Sequence, residues 1–362
     1  MFRLLTSCLF LAGAALAADR PNVLFLVADD LRPDLGCYGH PLAQTPNLDA
    51  LAARGTRFDR AYCQQALCNP SRISVMTGLR PDTTRAWTLT EKFRNTTPGA
   101  ITVAQHFKDH GYFSQGIGKV FHNWQNEVKD GSLSWSVPAQ MHMASHYADT
   151  VLLDEKREWP PPLGPRQRVE RLDVPDNAYF DGEIADAAVE VLQECAEMEE
   201  PFFLAVGFWN PHLPFNAPKR YWDLYDPSEI SLTEYDEWPE KTPREAWHNG
   251  KELPQREPAE TLSADEVREL RHGYLAATSY LDAQVGRVLD AVDETGQTEN
   301  TIIVFWSDHG FHLGEKSLWC KTSNFELDAR VPLIFAGPGV KADGNVNGLV
   351  ELLDIYPTLV EL

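Results

Sequence analysis

The sequence predicts an α/β layered fold around a largely parallel sheet, and three observations support this prediction. The chain has 362 residues, 43% of them hydrophobic, which is enough to bury a core in one large domain or two ordinary ones. Short apolar runs alternate with helical patterns, as they do where helices connect the strands of a parallel sheet. One of the helical patterns is long and clearly amphipathic.

Four apolar runs are predicted to be strands, at residues 23–28, 202–208, 301–306 and 331–336. Helices are predicted near residues 47–54 and 101–110, and a long amphipathic helix from Asp265 to about Asp293. In the long helix, apolar side chains recur every three or four positions, at Leu270, Tyr274, Leu281, Val285 and Leu289. Residues 123–181 and 234–260 lack such a pattern, so we expect irregular excursions there that cover one face of the fold.

The charge and the N-terminal residues limit where the protein works. With 53 acidic and 32 basic residues, the formal net charge is −21, which disfavours binding to nucleic acid or an anionic membrane. An early Arg3, an apolar run at residues 4–16 and small side chains at Ala15 and Ala17 predict a cleaved secretory signal over residues 1–17. No later run is long and apolar enough to span a membrane. We therefore expect a secreted or periplasmic protein that binds any anionic ligand in a local basic pocket.

Five cysteines remain after removal of that signal, and their number is odd. In an oxidising compartment this indicates a cysteine with a role other than pairing, although a buried free thiol is an equally good interpretation. The five are Cys37, Cys63, Cys68, Cys195 and Cys320. The sequence leaves open which disulfides form among Cys37, Cys63, Cys195 and Cys320.

Acidic side chains follow two of the predicted strands. Asp29 and Asp30 come directly after the first run, and Asp308 and His309 follow the run at residues 301–306. Ligands of open α/β sheets bind at the carboxyl ends of the strands, and adjacent carboxylates need a cation or hydrogen-bond donors to offset their repulsion. An acidic turn or helix cap explains either pair taken alone. Together they predict a metal site for Ca²⁺ or Mg²⁺, while the imidazole leaves Mn²⁺ or Zn²⁺ open.

The segment Cys68-Asn69-Pro70-Ser71-Arg72 carries the most specific signal. It resembles the C-x-P-S-R signature of the type I sulfatases, whose cysteine is oxidised after translation to formylglycine. Thr77-Gly78 extends the match, and residues 80–85, 118–122, 211–215 and 307–310 are similar to the branch of iduronate-2-sulfatase-like enzymes. The resemblance runs from about residue 22 to the end of the chain.

The resemblance implies an alkaline-phosphatase-like fold, with a mixed, largely parallel sheet between helices and a smaller C-terminal sheet domain. Residues 18–362 are then the catalytic domain. Because the chain ends at Leu362 within the first turns of a predicted helix, we expect that the small domain is missing.

The resemblance also assigns roles to individual residues. The positions that match metal ligands are Asp29, Asp30, Asp308, His309 and the formylglycine precursor Cys68. The positions that match cationic groups around the sulfate are Arg72, Lys119, His122, His212 and Lys321. The iduronate branch commonly has a tryptophan where this chain has Phe311 and a small residue where it has His312, which bears on sugar specificity rather than on the reaction.

The implied reaction is hydrolysis of a sulfate ester of a sulfated carbohydrate, such as a 2-O-sulfated uronic acid. The implied cofactors are formylglycine at Cys68, made by a separate maturase, and Ca²⁺, with Mg²⁺ or Mn²⁺ as alternatives. One hydroxyl of the hydrated aldehyde attacks sulfur, and covalent catalysis divides one difficult step into two. His212 is our choice for the leaving-group acid, because imidazole can donate near neutral pH; the resemblance permits Lys321 instead.

Other interpretations remain. A phosphate or phosphonate monoester hydrolase would share the fold, and a carbohydrate-binding relative would have lost catalysis. A cysteine hydrolase that uses Cys68 would not explain the acidic strand ends. Each lysine or histidine taken singly has a structural explanation, and only their joint order supports a site. The histidines that lack this support are interpreted as structural: His40, His142, His146 and His248.

Overall fold

In the computed structural model, the described residues are 20–122, 133–141, 168–233, 237–238, 240–247, 252–253 and 262–362. The predicted signal at residues 1–17 and most of both predicted excursions lie outside them. So do three of the histidines interpreted as structural, namely His142, His146 and His248.

The described strands, in chain order, are β1 (Asn22–Ala28), β2 (Gly55–Phe58), β3 (Ala61–Tyr62), β4 (Phe113–Gly118), β5 (Val169–Glu170), β6 (Phe202–Gly207), β7 (Phe215–Asn216), β8 (Thr301–Ser307), β9 (His312–Leu313), β10 (Trp319–Cys320), β11 (Arg330–Val331), β12 (Leu333–Ala336), β13 (Gly344–Val346) and β14 (Val350–Glu351).

The described α-helices are α1 (Pro46–Ala53), α2 (Cys68–Thr77), α3 (Pro81–Thr84), α4 (Phe93–Thr96), α5 (Val103–Asp109), α6 (Phe180–Ala196), α7 (Lys219–Trp222), α8 (Ala264–Glu294), α9 (Glu326–Ala329) and α10 (Ile355–Glu361). Of these helices, none combines the length and the apolarity that a membrane span requires.

The main sheet has seven strands in the order β13-β2-β12-β8-β1-β6-β4. Strands β8, β1, β6 and β4 are parallel neighbours, while β12 runs antiparallel to both β8 and β2. The predicted mixed, largely parallel sheet is thereby confirmed. The carboxyl ends of four adjacent strands meet at one edge, which is where ligands bind in such sheets.

Helices cover both faces of this sheet, and β1 lies at its centre with all seven residues buried. Leu24 and Leu26 face a cluster that includes side chains of α1, α6 and α8. Val23 and Phe25 face the opposite cluster, which includes α2, α5 and α10. Burial on both faces explains why β1 is a continuous apolar run rather than an alternating one.

The predicted elements are confirmed with small changes of boundary. Pro332 divides the run at residues 331–336 between β11 and β12, because proline cannot donate to a strand ladder. Helix α8 begins at a capping box, in which Ser263 and Glu266 each accept from the backbone N–H of the other. Strand β4 was not predicted, because Ser114, Gln115 and two glycines interrupt its apolar pattern.

The cysteines in the described part of the chain are all free thiols: Cys37, Cys63, Cys68, Cys195 and Cys320. His40 accepts backbone hydrogen bonds at Nδ1 from Leu42 and Ala43, in keeping with its structural interpretation.

Gly207, the last residue of β6, packs against the backbone of the residues that follow β4, and its replacement tests this packing. A Cβ atom there would lie 2.1 Å from the backbone oxygen of Lys119. We expect Gly207→Ala to lower the free energy of unfolding by about 3 kcal/mol, because backbone must move to remove the overlap. Urea denaturation followed by circular dichroism measures the change.

Gly99→Ala is the matched control, since a Cβ atom at Gly99 would meet nothing within 4 Å. It should change the free energy of unfolding by less than about 0.5 kcal/mol. Equal stability of the two variants would contradict the close approach of β6 to the residues that follow β4.

Candidate active site

The site lies at the carboxyl edge of the four parallel strands. Asp29 follows β1, Asp308 follows β8 and Lys119 follows β4, and the loop after β6 carries His212. These strands are hydrogen-bonded neighbours, so their ends deliver side chains from four distant parts of the chain to one place. The structure therefore brings both predicted acidic pairs together.

Cys68 is the first residue of α2, and its thiol sits at the centre of this group. The thiol donates to Asp29 Oδ1 at 3.5 Å, and its Sγ lies 3.3 Å from His309 Nε2 and 3.8 Å from Lys119 Nζ. Burial, together with the nearby Asp29 carboxylate, raises the pKa of the Cys68 thiol well above its ordinary value. A thiol held protonated is a poor nucleophile, which argues against a cysteine hydrolase.

Arg72 lies one helical turn after Cys68 and bonds the two acidic strand ends together. Its Nε donates to Asp308 Oδ2 at 2.7 Å, and its Nη2 lies 3.4 Å from Asp29 Oδ1. Nη1 donates to the backbone oxygens of Lys119 and Val120. Every guanidinium nitrogen is engaged with protein, so Arg72 holds the carboxylates in place instead of offering a free donor to a sulfate.

Asp30 adopts a left-handed backbone conformation with φ 64°, which is uncommon for a residue with a side chain. The Tyr274 hydroxyl fixes it by donating to the Asp30 carbonyl at 2.8 Å and accepting from the Arg32 N–H at 2.9 Å. The Asp30 N–H in turn donates to Asp308 Oδ1 at 3.2 Å. Tyr274 was predicted only as a core position of the long helix, and nothing in the local sequence indicates this second contact.

The two predicted lysines are buried against the carboxylates. Lys119 Nζ donates to Asp29 Oδ2 and lies 4.6 Å from the centre of the Trp209 ring. Lys321 Nζ donates to both oxygens of Asp30, at 2.8 and 2.9 Å, and to Glu252 Oε2 at 2.7 Å. Burial alone would lower the pKa of Lys321, but Asp30 and Glu252 outweigh it and raise that pKa well above its ordinary value.

His212 is positioned by the loop after β6. Its Nδ1 bonds to the backbone oxygen of Leu213 at 2.6 Å, so Nε2 is the atom directed at the site, 3.7 Å from Asp30 Oδ2. The buried carboxylate of Asp181 accepts from the N–H groups of Trp209 and Asn210 at 2.8 and 2.9 Å and so holds this loop. Nothing in the local sequence indicates this role for Asp181, because its partners lie 28 and 29 residues further along the chain.

Burial changes the protonation of both predicted histidines outside the acidic pairs. Together with the positive charge of Lys321, it lowers the pKa of His212 to about 4. Burial and Lys119 lower the pKa of His122 to about 2. In this state both imidazoles are neutral at physiological pH, and Nε2 of His212 is an acceptor whose proton must come from elsewhere.

Four buried side chains form a group that suits a cation. One ligand atom from each lies within 4.8 Å of the others, and the residues are Asp29, Asp30, Cys68 and His309. His309 Nδ1 bonds to the Gly310 carbonyl at 3.0 Å, which leaves the lone pair of Nε2 available, as in metal-bound histidines. Asp308 adjoins the group, with Oδ2 3.6 Å from His309 Nε2.

The electrostatics of Asp30 also fit a bound cation. Burial raises its pKa to about 7, although Lys321 opposes the shift and Asp29 adds to it. Its negative charge is therefore incompletely offset by the protein, and a cation would favour the ionised form. A second possible metal group joins Asp30, His212 and Glu252, but there the Lys321 ammonium already bonds to both carboxylates.

The two positions that depart from the iduronate branch are interior. Phe311 and His312 are fully buried. Phe311 stacks on Tyr274 with ring centres 6.2 Å apart, and His312 Nδ1 bonds to Asp328 Oδ1 at 2.5 Å. Any effect of these residues on a sugar is therefore transmitted through neighbours such as Lys321, whose Nζ lies 5.9 Å from the Phe311 ring centre.

Solved structures define the class of fold. A phosphonate monoester hydrolase of Agrobacterium radiobacter superposes with a TM-score of 0.73 at 22% identity, covering 94% of this chain and 73% of the other. A structure described as a complex with its substrate D-glucosamine-2-N,6-O-disulfate superposes with a TM-score of 0.70 at 21% identity, covering 94% of this chain and 76% of the other. The protein has the alkaline-phosphatase-like hydrolase fold.

Sequence comparison narrows this class. A family model described as "Sulfatase" matches residues 21–362. Human iduronate 2-sulfatase is 37% identical over 95% of this chain and 69% of its own length. Choline-sulfatase of Rhizobium meliloti is 30% identical over 96% of this chain and 68% of its own length. The chain belongs to the sulfatase family and is thus a sulfuric ester hydrolase.

Replacing Arg72 tests how much its ion pairs with the carboxylates stabilise the fold. We expect Arg72→Met to lower the free energy of unfolding by about 3–5 kcal/mol, because buried Asp308 and Asp29 lose the guanidinium that offsets their charge. Urea denaturation with a chelator present measures this without a contribution from bound cation.

Arg54→Ala is the control, since it removes an ion pair between Arg54 and Asp293 whose side chains are partly exposed to solvent. Its cost should stay below about 1 kcal/mol. A similar small cost for Arg72→Met would show that the carboxylates do not depend on Arg72.

Proposed function

We propose that this protein is a secreted or periplasmic sulfatase that hydrolyses the sulfate ester of a sulfated carbohydrate through formylglycine at position 68 and a divalent cation. The observation that carries the proposal is the position of Cys68, whose Sγ lies within 4 Å of Asp29, His309 and Lys119 at the carboxyl edge of the sheet. In the proposed domain arrangement, residues 1–17 form the signal and residues 18–362 the catalytic domain.

A cation would be held by the oxygens of Asp29 and Asp30, by His309 Nε2 and by the side chain at position 68, with Asp308 beside them. Oxygen ligands favour Ca²⁺, with Mg²⁺ as an alternative, and the imidazole leaves Mn²⁺ as a further one. Such an ion lowers the pKa of a nearby hydroxyl and polarises an ester oxygen. The four carboxylates Asp29, Asp30, Asp308 and Glu252 outnumber the three cations Arg72, Lys119 and Lys321 by one charge when all are ionised. A divalent ion would therefore turn the net charge of the site positive, as binding of a sulfate requires.

Formylglycine at position 68 would supply, as its hydrate, one hydroxyl for attack on sulfur as the alcohol departs and a second whose deprotonation would release sulfate and restore the aldehyde. The protein must remove the proton of the attacking hydroxyl, and Asp29 is suited to accept it because Asp29 Oδ1 already accepts the hydrogen bond from Cys68. Although burial alone would raise it, Lys119, His212 and Arg72 lower the pKa of Asp29 well below its ordinary value. Asp29 therefore stays ionised but is a weak base, so a cation would have to acidify the hydroxyl before Asp29 could accept its proton.

Lys119 and Lys321 are suited to bind the sulfate oxygens. Their ammonium groups lie on either side of the carboxylate pair, bonded to Asp29 and Asp30 respectively. Both are therefore placed to stabilise negative charge that develops on sulfate in the transition state. If a cation bound the aspartates, the two lysines could donate to the substrate instead of to Asp29 and Asp30.

His212 is suited to protonate the departing alcohol. Its Nδ1 hydrogen is held by the Leu213 carbonyl, so Nε2 is the atom that gains and loses a proton. Near Nε2 stand Asp30 and Glu252, each 3.7 Å away. Because burial and Lys321 lower the pKa of His212 to about 4, the imidazole would have to take up a proton during the reaction cycle before it could act as the general acid. Lys321 contacts the same two carboxylates and remains the alternative acid.

The names of two relatives support the proposed substrate class. Iduronate 2-sulfatase is the name of the human and mouse relatives, at 37% and 36% identity, which favours a 2-O-sulfated uronic acid or a related unit at a chain end. The partners are then this sugar and the maturase that oxidises Cys68. Phosphonate monoester hydrolases share the fold, so a phosphate or phosphonate ester is the second candidate substrate.

The modification and the reaction are tested on natively produced protein. We expect mass spectrometry of the peptide across Cys68 to find the aldehyde, and an aryl sulfate to turn over faster than the matching aryl phosphate. Cys68→Ala should reduce the rate by roughly a thousandfold or more, because it removes the nucleophile.

Cys195→Ala is the control, since Cys195 is a buried thiol in α6, remote from the strand ends that form the site. An unmodified Cys68 in active protein would contradict formylglycine chemistry. A large preference for the aryl phosphate would support the phosphate alternative instead.

The identity of the acid is tested with two aryl sulfates whose phenols differ widely in acidity. We expect His212→Ala to slow the ester of the less acidic phenol by about 100-fold or more, because that alcohol needs a proton as it leaves. The ester of the more acidic phenol should be affected far less. Steady-state rates for both esters give the ratio.

His110→Ala removes an exposed imidazole on the far end of α5 and should leave this ratio unchanged. If Lys321→Ala alters the ratio and His212→Ala does not, Lys321 is the acid.

A further inference from the structure

The segment after α3 carries a motif that the proposed mechanism does not use. Residues 80–85 match the iduronate branch, α3 (Pro81–Thr84) ends at Arg85, and the chain then forms a loop of residues 85–91. We call this the 85–91 loop. Two of its side chains are exposed and chemically suited to a sugar, namely Arg85 and Trp87.

The 85–91 loop is fastened to the first turn of α2, beside the nucleophile position. Asn69, the neighbour of Cys68, donates from Nδ2 to the backbone oxygens of Thr88 at 2.8 Å and Glu91 at 3.0 Å. Gln65 Nε2 donates to the Trp87 oxygen at 2.7 Å. The loop therefore borders the site, and hydrogen bonds from α2 and the turn before it fix its backbone.

The loop also continues to the other side of the site. Phe93, which follows it, stacks on Phe121 with ring centres 6.1 Å apart, and Phe121 lies between Lys119 and His122 in the chain. The 85–91 loop thus contacts the start of α2, which carries Cys68, and leads to Phe93, which packs on the segment that carries Lys119. A sugar that extends from the sulfated ring toward this loop would contact it.

Trp87 offers a fixed aromatic surface. Its side chain is 46% exposed, yet its Nε1 donates to Asp82 Oδ1 on α3 at 3.4 Å and its backbone oxygen is held by Gln65. An indole whose orientation is set in advance loses little freedom when a pyranose ring stacks on it.

Arg85 is exposed, and its backbone adopts the left-handed helical conformation with φ 53° and ψ 32°. Glycine is the usual residue at such a helix C-terminus, and a side chain there carries strain. Within the part of the chain that the structure describes, the Arg85 side chain has no hydrogen bond or ion pair. Ala86 between Arg85 and Trp87 is fully buried, so the two flanking side chains both face outward.

We propose that Trp87 and Arg85 form a subsite for the sugar residue next to the sulfated one, with Trp87 stacking on its ring and Arg85 pairing with its carboxylate or sulfate group. With a net charge of −21, the chain needs local positive charge to bind a second anionic group, and Arg85 is exposed and has no partner among the described residues. The inference rests on the proposed sulfatase function.

The test uses inhibition of aryl sulfate hydrolysis by two probes. One is a 2-O-sulfated uronic acid methyl glycoside, and the other is a disaccharide in which the same unit is linked to N-sulfated glucosamine. We expect the disaccharide to inhibit about tenfold more strongly than the monosaccharide. Trp87→Ala and Arg85→Gly should each remove most of this advantage, whereas Trp87→Phe and Arg85→Lys should keep it.

Arg85→Gly separates ligand binding from folding, because glycine adopts the left-handed conformation without strain. Its thermal midpoint should match or exceed that of the wild type while the disaccharide advantage falls. Arg54→Ala is the control. It removes the partly exposed ion pair with Asp293 just before β2 and should retain the full advantage of the disaccharide.

The outcomes distinguish the two proposals. If the wild type does not hydrolyse the aryl sulfate, the proposed function fails. If it does, but the two probes inhibit equally or neither inhibits, the subsite is wrong. The subsite is also wrong if Trp87→Ala and Arg85→Gly weaken both probes by the same factor.

Discussion

The ion pairs of Arg72 are the interaction on which the site depends. Two neighbouring strands end in carboxylates that are fully buried, and without opposite charge such groups would cost several kcal/mol each. The guanidinium reaches Asp308 and Asp29 at once and also ties down the backbone after β4. One side chain therefore sets the spacing of three strand ends, and with it the space in which a cation and a sulfate would meet.

The same burial governs the chemistry at position 68. An environment rich in carboxylates and poor in water raises the pKa of the thiol, so an unmodified cysteine is disfavoured as a thiolate there. A neutral hydroxyl group that a cation can polarise suits these surroundings better, since Asp29 stands ready as an acceptor. The acidic pairs and the side chain at position 68 thus form a single site. A cysteine hydrolase would explain the cysteine but not the acidic strand ends.

Charge is distributed very unevenly in this molecule. The chain as a whole is strongly acidic, while Arg72, Lys119 and Lys321 are buried at one edge of the sheet. Carboxylates pair with all three of these cations, so this edge would attract an anionic substrate only together with a bound divalent ion. Glu252, with 23% of its side chain exposed, stands beside Lys321 and His212 and adds negative charge at the rim.

The sequence by itself determined the strands with continuous apolar patterns, the long helix and the C-x-P-S-R segment, because these signals are local. It also placed acidic residues at two strand ends, and the parallel sheet then had to bring them together. It did not reveal β4, whose serine and glycines hide its pattern, or the contact of Tyr274 with Asp30, which are 244 residues apart.

Only the tertiary structure decided which donors are already engaged. Sequence similarity placed Arg72 among the groups around the sulfate, whereas its contacts join it to Asp308, Asp29 and the backbone. The contacts of Asp181 and Glu252 were likewise unpredicted, because their partners lie on distant segments of the chain. The physical reason is that hydrogen bonds and charge compensation in a buried site depend on distances across the fold, which no local pattern encodes.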